Sequence, residues 1–461
     1  METPEATSAL APARWREVFE GQRGRLTSGL LLLEALVAVE VLIVVTVLPA
    51  VERDLGGLRF YGWAFGAFGL ATIASVPIGG RATDRYGPRW VLIVSLGLYV
   101  AGLLIAALSP AMLVLVFGRF VQGFGGGGLY VMSLGTIAKT YPQRVRPRVM
   151  ALLASMWILP GLFGPPLGAL LASTVGWRWA FVAPLPLLVI AAALVLPPLG
   201  AVKIAPNVDV RLSLRWPALL MVGTAIFLAG LTPPGPWTAL LLPVGAAIGL
   251  PALARIAPPG AFRARPGLAA AAVAAFLVSC AFAAIDGFVP LMLTQVRGLS
   301  IGVAGIALTI ATFFWAGGSW WQSRRFGAWS APKLSILGGG IVAVGVVLLI
   351  LGLTDLPIVL PYIGYALGGL GMGIVFPTVP LSAMSITSEG HEANELSSAL
   401  LMDYLGIAIG AGLAGGSVAL SDAGHVSLEV GIGGAFGIGL LSAIGVIFVA
   451  PRLPSGRPGG D

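Results

Sequence analysis

Residues 29–50 read GLLLLEALVAVEVLIVVTVLPA, an apolar run broken only by Glu34 and Glu40. A helix of about 20 such residues crosses the ~30 Å hydrocarbon core of a bilayer. Runs of the same kind follow near 60–80, 90–108, 111–136, 146–172 and 178–196. Two shorter ones lie at 216–231 and 237–254, and six more at 267–293, 300–322, 333–353, 357–380, 396–420 and 426–450. The expected fold class is therefore an all-α polytopic membrane protein of fourteen spans in the order 6+2+6. It divides into an N-terminal cytoplasmic arm (1–28), a six-helix bundle (29–197), a linker carrying two extra spans (198–266), a second six-helix bundle (267–450) and a cytoplasmic tail (451–461).

Composition excludes the alternatives. Of 461 residues, 57% are hydrophobic and 10% charged, whereas soluble domains carry about 25% charged residues. The 65 glycines and 34 prolines fall largely inside apolar runs, where membrane helices tolerate them. Cytoplasmic loops of membrane proteins are enriched in Lys and Arg. With the N-terminus inside, 22 of the 27 basic residues fall on cytoplasmic segments and 4 on external loops, with Arg119 inside a run. The formal charge of +8 is thus a topology signal, and no nucleic-acid partner is expected. The first run has no small-residue cleavage site and keeps two glutamates, so it reads as a span and not a removed leader.

Enzyme chemistry finds no support. Cys280 is the one cysteine, so no internal disulfide exists, and His391 and His425 are too few for a histidine-rich metal site. There is no G-x-x-x-x-G-K-[ST] phosphate loop and hence no direct drive by ATP. Residues 123–128 match G-x-G-x-x-G and residues 298–302 match G-x-S-x-G, but neither follows a strand. His391-Glu392 opens like a zinc-protease motif, yet position 395 is Glu. No cofactor and no metal is expected.

The charges inside the runs demand a reason, because one at mid-bilayer costs about 2.5–3.5 kcal/mol on insertion scales. Glu40 is nine residues from Pro49, and Arg119 nine residues from Pro110. At about 1.5 Å per residue both sit ~13 Å below the external surface. Opposite charges at one depth suit either a proton-coupling site or a buried structural ion pair. Asp286 and Asp403 are second-half counterparts in kind, suited to ion coupling, cation recognition or snorkelling. Glu34 lies nearer the cytoplasmic end. A faint repeat joins the halves: Gly79-Gly80 with Arg85-Tyr86-Gly87, and Gly317-Gly318 with Arg325-Phe326-Gly327.

These residues resemble the major facilitator superfamily, and the layout resembles its fourteen-helix drug:proton antiporters. Residues Gly80-Arg81-Ala82-Thr83-Asp84-Arg85-Tyr86-Gly87-Pro88-Arg89 are similar to the loop motif G-x-L-x-D-R-x-G-R-[KR], with Ala82 and Pro88 as departures. The resemblance implies a gating charge network at Gly80, Asp84, Arg85, Gly87 and Arg89. Arg119-Phe120-Val121-Gln122-Gly123 resembles R-x-x-Q-G, whose arginine the family links to proton coupling. Residues 160–169 resemble the antiporter motif G-x-x-x-G-P-x-x-G-G, with Pro160 and Ala169 in place of its outer glycines. Pro160, Gly164, Pro165 and Gly168 would govern helix packing there. Residues 40–49 have the spacing of D-x-T-x-V-N-V-A-L-P with Glu40 for the aspartate, and Trp177-Arg178-Trp179-Ala180-Phe181 resembles W-R-W-x-F. The matches span about residues 34–186; the second half matches mainly by layout.

The resemblance implies proton-coupled efflux of lipophilic or amphipathic compounds such as drugs, by alternating access across the cytoplasmic membrane. Proton coupling would fall on Glu40, Arg119, Asp286 and Asp403, with the proton gradient as energy source. Gln122, Trp157, Trp315 and Met402 are candidates to line the substrate cavity, although a lipid-facing or packed-core position is the plainer reading of the last three. The expected partners are a small lipophilic substrate, protons and membrane lipids, and the expected state is a monomer with both termini cytoplasmic. A transporter of one metabolite or lipid, and a non-transporting membrane receptor or enzyme, remain as alternatives.

Overall fold

The structure is a computed structural model that describes residues 15–142, 145–200, 214–232, 235–326, 328–386 and 392–455. Residues 1–14 of the expected arm, 201–213 of the expected linker, His391, and 456–461 of the expected tail lie outside the described residues. The first half contains α1 (Gly21–Leu55), α2 (Tyr61–Tyr86), α3 (Pro88–Ala107), α4 (Met112–Thr140), α5 (Ile158–Thr174) and α6 (Leu185–Leu199). Then come α7 (Arg215–Gly230) and α8 (Thr238–Ile256). The second half contains α9 (Leu268–Asp286), α10 (Ile301–Arg325), α11 (Ala331–Leu351), α12 (Val359–Met384), α13 (Glu392–Asp422) and α14 (Leu428–Val449).

Among the described residues, 12 helical spans are long and apolar enough to cross a membrane. The two expected runs that fall short are α5, with 17 residues, and α7, with 16. The run expected at 146–172 is split: a helix over Arg146–Ser155 stops, the chain turns at Met156 and Trp157, and α5 begins. Its start places Pro160 in the first turn, where the missing N–H breaks no helical hydrogen bond. Large apolar side chains such as Phe117, Leu441 and Phe448 face outward, the last 75% exposed. Without water in the bilayer core, such surfaces carry no penalty, while every backbone N–H and C=O must pair within its own helix.

Within the first half, α4 packs on α2 and α3, and α1 on α5 and α6. Within the second, α9 packs on α13 and α14, and α11 on α12 and α14. The halves meet along two seams, α2 with α13 and α5 with α10. The α7–α8 hairpin closes on itself through Gly223 and Gly245, where an added Cβ would strike the facing backbone, with Gly249 in contact with Gly223. It then lies against the α2–α13 seam, burying Leu220 and Ala252 with Leu70, Ile73, Leu401 and Met402. The extra helices therefore cover a joint between the halves.

Candidate functional site

The α4 glycine run that matched a nucleotide fingerprint is a packing surface. A Cβ on Gly123 would strike the backbone of Phe68 in α2, and one on Gly125 the backbone of Tyr99 in α3. Glycine here lets three helices meet at backbone distance. The approach brings Phe68 and Tyr99 to Arg119, one turn earlier on α4.

Arg119 and Glu40, matched in depth by sequence, are joined in the structure. Arg119 Nη1 donates to Glu40 Oε1 at 2.6 Å, with relative exposures of 3% and 0%. The same nitrogen donates to Gln122 Oε1 at 2.6 Å, and Nε donates to the Ala64 carbonyl of α2 at 3.1 Å. The guanidinium lies 5.1 Å from the centre of the Phe68 ring. On the far side of the carboxylate, the Tyr99 hydroxyl donates to Oε2 at 3.4 Å. Gln122 is wholly buried, and among the described residues its Nε2 has no hydrogen-bond partner. Charges taken out of water are tolerated only when paired and hydrogen-bonded, and both conditions hold.

Helix α5 presses on α1 around this pair. A Cβ on Gly164 would lie 3.2 Å from Leu42 Cβ, and one on Gly168 would lie 3.3 Å from Ile43 Cα. The other face of α5 meets α10: Gly161 abuts Thr312, and the Pro165 carbonyl would stand 3.4 Å from a Cβ on Gly305. Pro160 is buried at the start of the helix. The motif residues thus sit between Glu40 and the second half of the chain.

Three further carboxylates take one neutral donor each. Trp157 Nε1 donates to Glu34 Oε1 at 2.9 Å. Ser279 of α9 donates to Asp403 of α13, and Tyr365 of α12 donates to Asp286. Glu34 and Asp403 come from opposite halves, and the half-buried Tyr130 hydroxyl of α4 lies within electrostatic reach of both, as does that of Tyr404. Asp286 stands apart from that group. Trp315 stacks edge-on with Phe282 at 5.4 Å and tilted with Phe376 at 5.5 Å. Met402 is 5% exposed within the cluster under α7 and α8, so it faces packed side chains.

The loop motif caps one end of the first half, here called the Asp84 end. Gly87, at φ +84°, ends α2 and starts α3, a backbone conformation that favours glycine. Asp84 Oδ1 accepts from Lys139 Nζ at 2.9 Å, linking α2 to α4. Arg85 lies over Tyr86. Arg89 reaches Gly200, just past the last turn of α6, where unpaired carbonyls favour a cation. A Cβ on Gly80 would stand 3.8 Å from Val131.

At the opposite, Glu52 end the halves are tied together. Gln295 Nε2 donates to Glu52 Oε2 at 2.8 Å, and Arg53 Nη2 donates to the Thr294 carbonyl at 3.1 Å. Both partners lie in a π-helical turn, Met292–Val296, after α9. Below them Tyr61 and Phe65 of α2 pack on Phe288, with ring centres 5.6 and 6.4 Å away. None of these partners was singled out by sequence. Tyr99 gave a signal as a polar aromatic of an apolar run, whose hydroxyl needs a partner when buried.

Comparison with known proteins places the fold. A family model described as the Major Facilitator Superfamily matches residues 30–411. The chain is 27% identical over 464 residues to a probable multidrug-efflux transporter of Mycobacterium tuberculosis, covering 94% of this chain and 95% of that one. It is 35% identical over 159 residues to the efflux pump roqT of Penicillium rubens, covering 34% and 30% of the two chains. A solved POT family peptide transporter superposes with a TM-score of 0.68 at 18% identity, covering 93% of this chain and 97% of that chain. A D-xylose-proton symporter does so at 0.66 and 14% identity, with 96% and 100% coverage. The chain belongs to the Major Facilitator Superfamily.

Proposed function

We propose that the protein is a proton-coupled exporter of lipophilic or amphipathic compounds across the cytoplasmic membrane, working by alternating access. In this reading all fourteen helices cross, six, two and six, with α5 completed by the helix over Arg146–Ser155. The Asp84 end and both termini are cytoplasmic, supported by the 22-to-4 bias of basic residues. The Glu52 end is external and closed. Efflux is supported by the relatives named as multidrug-efflux transporters and efflux pumps.

The observation that carries the proton-coupled part is the fully buried Glu40, bonded to Arg119 at 2.6 Å. Protonating Glu40 cancels its charge and leaves a buried guanidinium with only neutral acceptors, Gln122 and Ala64. An uncompensated buried charge is strongly destabilising. The proton therefore penalises this arrangement of α1, α2 and α4 relative to one that rehydrates Arg119. That differential is what a coupling ion must supply to shift a two-state carrier. Substrate is held between the halves beside Glu34, Tyr130 and Asp403, where unused carboxylate lone pairs suit compounds bearing a positive charge.

The test uses inverted membrane vesicles with an imposed proton gradient, a pH-sensitive dye, and a panel of lipophilic cations and neutral drugs. Compound-induced proton release by wild type, absent in Glu40→Gln, is the expected result. Equal responses from both would make Glu40 structural and move coupling to Asp286 or Asp403. A response to one compound class alone would favour a narrow-substrate transporter, and none at all would overturn drug export.

A further inference from the structure

On the outer face of the second half, α10, α11 and α12 leave a groove of about 490 Å3. Its walls are Phe313, Phe314 and Trp320 from α10 and Ile341 from α11, over a floor that includes Ile374 of α12. Phe313 is 65% exposed and Trp320 58%. Gly317 opens the wall: a Cβ there would meet nothing within 4 Å. The volume falls in the ~300–1,000 Å3 range of small-molecule sites, and the lining is apolar and aromatic.

One end of the groove is basic. Gly317, Trp320 and Arg324 follow at spacings of three and four, so they share a face of α10. Lys333, Leu337 and Ile341, each four residues apart, share a face of α11, and Leu337 also lines the groove. The tight connection after α10, held by a bridge between Phe326 and Trp329 and by Trp321 against Trp329 at 5.5 Å, brings the two faces together. Arg324 and Lys333 thus flank one mouth, both exposed. The Arg324 guanidinium stacks 3.8 Å from the centre of the Trp320 ring. Among the described residues neither cation is paired with a carboxylate.

We propose that this groove is a binding site for an anionic phospholipid, with an acyl chain between α10 and α11 and the phosphate at Arg324 and Lys333. Charge decides the occupant: a neutral chain would fill the groove but leave two unpaired cations at its mouth. The leaflet follows from the orientation argued above, which puts this mouth on the cytoplasmic side, where anionic lipid gives a negative surface potential. The site is separate from Glu40 and the seam, and Trp315 of the same helix turns the other way, to Phe282 and Phe376.

The test is native mass spectrometry of the full-length protein in detergent, titrated with dioleoyl phosphatidylglycerol or dioleoyl phosphatidylcholine. Wild type should retain phosphatidylglycerol more tightly. Each cation near an anionic lipid contributes about 1 kcal/mol, roughly five-fold, so Arg324→Gln with Lys333→Gln should weaken it about 30-fold. Gly317→Leu, whose Cβ would meet no protein atom within 4 Å and whose side chain would extend from the groove wall, should displace both lipids, and Arg59→Gln at the other end should change nothing. Equal retention of the two lipids by wild type overturns the proposal. So does wild-type behaviour of the double variant, or full competition by glycerol phosphate, which has the headgroup without the chains. Because the readout is bound lipid, these results leave the export reading untouched, and a loss of transport would leave this site standing.

Discussion

Gly62 and Gly415 face each other across the α2–α13 seam near the Glu52 end, and a methyl group added there should force that end apart. A Cβ on Gly62 would lie 2.5 Å from both Gly415 Cα and the Ala411 carbonyl oxygen. Carbon atoms rest at about 3.5–4.0 Å, so the helices must separate by roughly 1 Å. Both obstacles are backbone and cannot swing aside. Overpacking of this kind costs about 1–3 kcal/mol. A carrier that parts its halves at this end relieves the cost, so the whole penalty falls on the closed form. The closed-to-open ratio should fall about 5- to 150-fold.

The assay is a distance distribution between spin labels at Arg59→Cys and His425→Cys, in a Cys280→Ser background that removes the native thiol. Both positions are exposed, one on each half. Gly62→Ala should shift the population toward longer distances, and Gly62→Leu should shift it further. Gly415→Ala should resemble Gly62→Ala, because its Cβ would lie 2.7 Å from Gly62 Cα. An unchanged distribution in a folded Gly62→Leu protein would refute the reasoning. It would mean that the two helices part without opening the Glu52 end.

Glu40→Gln should lower unfolding stability in detergent by about 3–5 kcal/mol, because it strands a buried guanidinium. Adding Arg119→Gln should restore much of that stability without restoring proton coupling, read by dye response in vesicles. Gln295→Ala removes a single hydrogen bond to Glu52, and a loss of about 1 kcal/mol should open the Glu52 end roughly five-fold in the same spin-label experiment. Gly223→Val should prise α7 from α8, since even a Cβ there meets the Gly249 backbone. Lower thermal stability is expected, with Glu40-dependent proton release kept by the surviving molecules.

The membrane character, most of the run positions and the matched depth of Glu40 and Arg119 were legible in the sequence, because hydropathy and helical rise act locally. The partners of the pair were not. Tyr99, Phe68 and the Ala64 carbonyl come from α2 and α3, and their approach is decided by α4 glycines meeting backbones more than 20 positions away. Sequence spacing gives depth along one helix but not its rotation toward a neighbour. For that reason Met402, a plausible cavity residue by type, turns out to be packed under the α7–α8 hairpin. The shortness of α5 lies in Pro160, whose meaning depends on whether it falls inside a span or at its edge.

The intramembrane carboxylates divide by the charge of what holds them. Among the described residues Glu40 alone has an arginine, and its hydrogen-bond partners, Arg119 and Tyr99, lie within the first half. Glu34, Asp286 and Asp403 each accept from one neutral donor of their own half, leaving lone pairs unused. A carboxylate held by arginine changes the local charge balance when it is protonated, whereas one held by tryptophan, serine or tyrosine keeps its donor and can still accept another. The first kind suits a proton that must bias the position of helices. The second suits a ligand that must enter and leave. If the two tasks are separated in this way, Asp403→Asn should weaken the response to cationic compounds more than to neutral ones while the proton response to neutral compounds persists. Glu40→Gln should abolish the response to both. An equal loss for both compound classes in Asp403→Asn would show that one carboxylate set performs both tasks.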